Sequence, residues 1–461
     1  MINNLKNKRF ALVYGQSIEG CGVSRNGSEF QHWFNKNGIE LTIYSYDERT
    51  YNRRDAHELN FKSFMRDDIG NIVNELNQYD AVLFNSYPSN KFNKESIIDF
   101  YEKLIKKITT IKVGFMHELN KTNIDKVPYL VGIMNQMDII YNFSEETWFA
   151  QTISQMLPSK KIGNRVKKFT MWFNFDLLEN YRNTISLSDK EKKLLYIGRW
   201  TTMKDPRRVL DLGPMLLEHG IEPELMGIER SIGAKFDIFD HPNIIDRTGK
   251  KEKIGETGCV PVYGTYIRDE GMEKLANSLF GCSFYRMPKT PENYGNRMEY
   301  TQIETIAVGS IPVFDEDWGI NNKTKDGKRY IDIPYSAIYS NKEDLQGTVD
   351  KLYEVANNID LQKKYRETSY KIAKSEFDAD IVIPEMFNDI LNIGKDNDIF
   401  TCDEDLIRHF ITGEGQDEFI NLYRKYNNDG EIVVLGIREL FRDKEFCILD
   451  GKKEKRIKRF K

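Results

Sequence analysis

The sequence predicts an α/β chain made of two doubly wound, parallel-sheet domains and a C-terminal appendage. Three observations predict it. The chain has 461 residues, 40% of them hydrophobic, which is enough for two full cores and too long for one ordinary domain. Residues 8 to about 172 alternate short apolar strand signals with helical patterns, as parallel strands joined by crossover helices do. Residues 194–314 open on a strand, a basic loop and a helix, and close on a helix that a glycine delivers into a buried strand.

The first domain is expected over residues 1–175, with strands at Phe10–Tyr14, Leu41–Tyr44, Ala81–Phe84, Val113–Met116 and Ile139–Tyr141. Ligands of such sheets bind beyond the carboxyl ends of the strands, so the loops there are the candidate sites. The first loop, Gly15–Gly27, carries Glu19, Gly20 and Gly22. Its glycines let the backbone come close to a ligand, and the helix opening near Val23 aims N–H groups back at it, although a tight turn would look the same. The fourth strand runs into His117 and Glu118, which read either as a structural hydrogen-bonding pair or as an acid–base pair at a carboxyl edge. After the second strand, Asp47–Phe64 interleaves Arg49, Arg53, Arg54, His57 and Lys62 with Tyr51 and Phe61. That mixture suits a phosphate backbone and an unstacked base, or an ordinary charged loop, since Asp47, Glu48, Asp55 and Glu58 dilute it. Ser159–Phe169 is the stronger candidate for nucleic-acid phosphates, with Lys160, Lys161, Arg165, Lys167 and Lys168 and no acid.

Phe173–Lys193 is polar and reads as the interdomain linker, with the second domain over 176–393. The strand Leu194–Ile197 leads through Gly198, taken as a turn, to Arg199 and Lys204 before a helix near Pro206. Arginine supplies a planar fork of donors, lysine a point charge and the helix N-terminus its N–H groups, a natural seat for a diphosphate. A strand at Glu224–Ile228 precedes Glu229 and Arg230, which can pair with each other or face a ligand. Pro242–Thr265 carries no readable function, and Gly281–Tyr285 reads as a strand. In Met298–Phe314, Met298, Ile303 and Ile306 have helical spacing, Gly309 can end the helix in a left-handed conformation, and Ile311–Phe314 is an apolar run. Glu299 and Glu304 lie on the first turns, where the helix dipole favours them and where they can accept from sugar or ribose hydroxyls, or else they are solvated helix residues. About a hundred residues separate the two motifs, a spacing that lets two loops of one domain meet at one ligand. Helices at Asp360–Ser375 and Ile381–Ile393 close the domain.

Bulk properties set limits. With 67 basic and 71 acidic residues the net charge is −4, so any DNA surface must be a local patch. No apolar run nears the roughly twenty residues of a membrane span, and the start of the chain lacks a signal-peptide pattern, so no membrane partner and a cytoplasmic location are expected. Five scattered cysteines without a CxxC pair and six histidines without ligand spacing predict reduced thiols and no bound metal. Residues 394–461 read as two short helices and strand-like pieces, ending in the basic KKEKRIKRFK, a solvated tail or a source of nonspecific phosphate contacts.

The Arg199 loop with Lys204, and IETIAVGSIPV around Glu304, resemble the donor half of retaining GT-B glycosyltransferases. Closer still, IEGCGVSRNGSEFQHWFNKNGIELTIY, IGRWTTMKD, LMGIERS and MEYTQIETIAVGSIPVF are similar, in the same order, to stretches of the DNA α-glucosyltransferase family of T-even bacteriophages. The resemblance spans roughly residues 8–392. It implies a GT-B fold, two Rossmann-like domains facing across a cleft that closes over both substrates. It implies transfer of a sugar from a UDP-sugar to 5-hydroxymethylcytosine in duplex DNA, with retention and no covalent enzyme intermediate, protecting phage DNA from host nucleases. Arg199 and Lys204 would then hold the diphosphate, Glu304 the ribose, Arg230 the nucleotide, and Glu19, Gly20 and Gly22 the donor sugar and phosphates. His117 and Glu118 would orient the sugar and stabilise positive charge on it, and the Tyr294-Gly295-Asn296 stretch would contact it.

Two departures stand out. Asn296 occupies the place of the usual partner glutamate, which leaves Glu299 as its substitute, and Glu118 replaces an aspartate. The sugar is expected to be glucose, with a pentose such as arabinose as the alternative. The UDP-sugar is a substrate, no cofactor is bound, and a monomer in the host cytoplasm is expected. Two other readings are a glycosyltransferase acting on a surface polysaccharide or lipid, and a non-catalytic DNA-binding protein. A membrane-facing amphipathic basic helix would favour the former, and the first domain shows none. Arg199, Lys204, Glu304 and His117 oppose the latter, because a binding module has no need of a diphosphate clamp.

Overall fold

The computed structural model describes residues 2–14, 22–45, 61–63, 68–86, 95–116, 136–142, 166–168, 171–229, 238–249, 253–264, 268–285, 298–393, 446–450 and 453–457. The chain forms two compact units, Met1–Thr170 with Ile383–Lys461, and Met171–Val382.

The first unit holds a seven-stranded parallel sheet of β1 (Arg9–Tyr14), β2 (Glu40–Ser45), β3 (Phe61–Ser63), β4 (Ala81–Ser86), β5 (Ile111–Met116), β6 (Ile139–Asn142) and β7 (Val166–Lys168). Its order is β3-β2-β1-β4-β5-β6-β7, so the winding reverses between β1 and β4. Phe10 to Val13 are all fully buried, as a central strand covered on both faces must be. The helix Gly22–Asn37 lays Phe30, Trp33 and Phe34 on this sheet, with Phe34 edge-on to Phe10 at 5.5 Å. The helix Ala379–Leu391 brings the chain back to this unit. Its Phe387 packs 4.7 Å from Phe10, and the Tyr141 hydroxyl donates to the Met386 carbonyl at 3.1 Å. The two basic stretches each contain an edge strand, β3 within Asp47–Phe64 and β7 within Ser159–Phe169. Three residues offer no period to read; pairing with β2 and with β6 makes them strands.

The second unit repeats the architecture with β8 (Glu191–Trp200), β9 (Glu222–Glu229), β10 (Ile244–Asp246), β11 (Val260–Tyr263), β12 (Ser278–Ser283), β13 (Ile311–Asp315) and β14 (Ile338–Ser340). The order β10-β11-β9-β8-β12-β13-β14 reverses between β8 and β12. The expected linker is part of this unit. Asp176–Thr184 is a helix, Phe173, Phe175 and Leu178 are buried in the core, and Phe173 exchanges backbone hydrogen bonds with Phe377 and Ala379 at 2.7 and 3.0 Å. The polar average of the stretch hides the three apolar residues that anchor it. Pro242–Thr265 contributes β10 and β11.

Gly198 is not a turn. It lies inside β8 and pairs with Gly227 of β9, where a Cβ on Gly227 would stand 1.8 Å from the Gly198 carbonyl oxygen. A strand-interior glycine here marks a close approach of two backbones. Past the family-like region, β15 (Phe446–Asp450) and β16 (Lys453–Ile457) form an antiparallel pair. Among the described residues no helix is long and apolar enough to cross a membrane.

Candidate active site

The switch point of the second sheet lies between β8 and β12, and the residues of interest gather at the carboxyl ends of those strands. Leu194, Leu195 and Tyr196 bury the middle of β8 and fix its path, so that its end presents Arg199 half-buried beside the switch point. A single 3-10 turn, Thr202–Lys204, follows, and Asp205 takes a left-handed conformation at φ 41°. Pro206 then caps the helix Arg207–Glu218, its fixed φ suiting that place.

Lys204 and the glutamate helix meet directly. The Lys204 Nζ is 2.8 Å from Glu299 Oε2, with the two side chains only 13% and 23% exposed. Glu299 is the N-cap of the helix Tyr300–Ala307, and its amide donates to Gln302 Oε1 at 2.8 Å, which holds the helix entry in place. Glu304, one turn further on, is buried, and Arg268 Nε lies 3.5 Å from its Oε1. These are therefore not solvated helix glutamates. Gly281 of β12 sets the depth of Glu304. A Cβ there would come within 2.6 Å of Thr305 Cγ2 and 2.8 Å of Leu275 Cδ1, so the missing side chain lets both covering helices settle on the sheet. Gly309, at φ 82°, ends the helix and drops the chain into the fully buried β13.

The arrangement places an ammonium and a guanidinium next to two carboxylates. An ammonium has three donors, so Lys204 can keep Glu299 and still donate to a phosphate oxygen. The carboxylates are acceptors for vicinal hydroxyls. Among the described residues no group of His, Cys, Asp or Glu has the makings of a metal site.

Of the residues singled out in the sequence, Arg199, Lys204, Glu299 and Glu304 lie on this edge. Gly22 opens the first long helix. Lys167 and Lys168 form the backbone of β7. Glu19, Gly20, Arg53, Arg54, His117, Glu118, Lys160, Lys161, Arg165, Arg230 and Asn296 lie outside the described residues. Sequence reasoning passed over Arg268, Gly227 and Gly281. Gly227 carries a signal, a glycine inside a strand pattern; Arg268 carries none, because its approach to Glu304 is purely tertiary.

The family model for DNA alpha-glucosyltransferase matches residues 21–360 of the chain. The chain belongs to the DNA alpha-glucosyltransferase family. Membership makes it a UDP-sugar-dependent glycosyltransferase, as the donor-half motifs imply. A relative in the family, the DNA alpha-glucosyltransferase of Enterobacteria phage T4, is 24% identical over 409 residues, covering 82% of this chain and 99% of the phage protein. An alpha-glucosyltransferase structure in complex with UDP matches with a TM-score of 0.70 at 22% identity, covering 84% of this chain and 100% of that one. One with UDP-glucose and DNA containing an abasic site matches at 0.71 and 22%, over the same shares. More distant is Anabaena Alr3699/HepE in complex with UDP and glucose, at 0.56 and 11% identity over 83% of this chain and 99% of that one. The two parallel sheets and these likenesses bear out the expected GT-B fold.

Proposed function

We propose that the protein transfers glucose from UDP-glucose to the hydroxymethyl group of 5-hydroxymethylcytosine in duplex DNA. The observation that carries this reading is the Lys204–Glu299 pair beside buried Glu304, at the place where open α/β sheets take nucleotides. The Arg199 fork and the Lys204 ammonium take the diphosphate, while Glu304 and Glu299 accept from the ribose hydroxyls. When the bond from sugar to phosphate breaks, the negative charge growing on UDP meets cations that are already in place, which lowers the barrier without reorganising water. UDP-glucose is an α-glycoside and the family makes an α-product, so configuration is retained.

The acceptor is a primary alcohol that must leave the stack or be met in the major groove. His117 and Glu118 orient the sugar and offset positive charge on it, Asn296 contacts it, Glu19, Gly20 and Gly22 approach the sugar and phosphates, and Arg230 faces the nucleotide. Those roles are supported by the family resemblance. Arg53, Arg54, Lys160, Lys161, Arg165, Lys167 and Lys168 supply DNA phosphate contacts. Donor and acceptor are supported by relatives solved with UDP-glucose and with DNA containing a HMU base. The setting is the cytoplasm of a host cell, where glucosylated DNA escapes host nucleases, and the working form is a monomer.

The test is mass spectrometry of nucleosides from duplexes carrying either 5-hydroxymethylcytosine or cytosine, after incubation with the protein and UDP-glucose, other UDP-hexoses or a UDP-pentose. One hexose added to 5-hydroxymethylcytosine alone, from UDP-glucose, is the expected result. A pentose addition would replace the sugar, and no addition to DNA from any donor would overturn the acceptor.

A further inference from the structure

Behind the diphosphate loop lies a buried arginine that the reaction as described does not use. Arg208, in the first turn of the helix Arg207–Glu218, is 1% exposed. Its guanidinium reaches four separate pieces of the carboxyl edge. Nε and Nη2 donate to Asp205 Oδ2 at 3.2 and 3.0 Å, Nη2 donates to Asp315 Oδ2 at 2.6 Å, Nη1 donates to the Ser340 carbonyl at 2.9 Å, and the group lies 4.5 Å over the Phe284 ring. Asp315 ends β13, Ser340 ends β14 and Phe284 follows β12, so one side chain joins three strand ends to the turn that carries Lys204.

Stability alone is a poor reason for this arrangement. Burying a guanidinium with two carboxylates carries a desolvation cost that well-packed apolar residues of the same volume would avoid. The tied residue is informative. Asp205 is a non-glycine at φ 41° and ψ 52°, a left-handed conformation in which the Cβ of an L-residue crowds the following carbonyl and which aspartate adopts only as a single residue. Its amide and that of Lys204 both turn back to the Thr201 carbonyl, at 3.2 and 3.0 Å. The direction of the chain at Asp205 therefore bears on where the preceding lysine points, and Arg208 holds the Asp205 carboxylate through two donors.

We infer that Arg208 is a positioning residue for the donor diphosphate. By clamping Asp205 to Asp315 it fixes the left-handed turn, and the turn holds the Lys204 ammonium at Glu299, ready for the β-phosphate. The inference rests on Lys204 being a donor ligand, as proposed above. It differs from a structural role in one respect: its effect passes through Lys204 and is felt by the diphosphate but not by the nucleoside.

The test uses the full chain and the variants Arg208→Lys, Asp205→Gly and Lys204→Ala, singly and combined, with affinities for UDP and for uridine measured by calorimetry. Arg208→Lys keeps a cation for Asp315 and loses the fork. Asp205→Gly accepts the left-handed turn without strain and releases the clamp, so it remains informative if the lysine variant folds poorly. Each is expected to weaken UDP roughly tenfold, to leave uridine within about twofold, and to add nothing once Lys204 is alanine. Equal losses for UDP and uridine, unchanged UDP affinity, or losses that add to Lys204→Ala would overturn the positioning role while leaving the donor site standing. A Lys204→Ala chain that binds UDP like the wild type would overturn both.

Discussion

Replacing Arg199 by alanine is expected to lower the turnover of glucosyl transfer by about 10²–10³-fold, the usual cost of removing one preorganised donor from a site of developing negative charge. The fold should tolerate the change. Arg199 lies near the end of β8, whose pairing runs through backbone groups in register with Ile228 of β9, and it is the Arg199 carbonyl that accepts from the Tyr196 hydroxyl at 3.0 Å. The variant should therefore melt close to the wild type, with the loss in kcat larger than any rise in KM. Arg199→Lys restores the charge but not the planar fork and should recover only part of the activity. Steady-state kinetics with UDP-glucose and hydroxymethylated duplex read both variants, and wild-type turnover in the alanine variant would remove Arg199 from the diphosphate subsite.

The second large effect concerns a glycine. In Gly227→Ala the new methyl would lie 1.8 Å from the Gly198 carbonyl oxygen and 2.8 Å from Trp200 Nε1. The first of these is backbone in the neighbouring central strand, and it cannot step aside without parting β8 from β9. A loss of more than about 3 kcal/mol is expected, at the upper end of overpacking effects, read as a fall in the urea midpoint. Surviving folded protein should also be poor in transfer, since β8 ends in Arg199. Gly281→Ala is a useful contrast, because its nearest neighbours at 2.6 and 2.8 Å are side-chain atoms of Thr305 and Leu275 that can rotate. It should cost less stability and act mainly by lifting Glu304. Equal midpoints for Gly227→Ala and the wild type would mean that β8 and β9 do not approach as described.

Much of this was legible in the sequence because buried parallel strands are continuous apolar runs. FALVY, AVLF and LLYI announce β1, β4 and β8 without any alternation to decode. The candidate donor residues were legible for a different reason. Arg199 and Lys204 follow such a run, and Glu299 and Glu304 lie on the helix that leads into another. What failed was whatever depends on residues distant in sequence. β3 and β7 are three residues each and become strands only through their neighbours. Gly198 follows an apolar run, as turn glycines do, and only Gly227 facing it reveals that the strand continues. Arg208 sits in an ordinary run of charge at the start of a helix; its burial is decided by Asp315 and Ser340, more than a hundred residues on. The Phe173–Lys193 stretch averages polar, yet Phe173, Phe175 and Leu178 bury it in the second unit, a fact that composition over the stretch does not carry.

The carboxyl edge around β8 and β12 is the proposed donor site. A crystal structure of the chain soaked with UDP tests that most directly. The predicted result is a diphosphate within hydrogen-bond reach of Arg199 and Lys204, with the ribose hydroxyls on Glu304 and Glu299. Nucleotide bound elsewhere, with the Lys204–Glu299 pair undisturbed and no phosphate beside it, would contradict it.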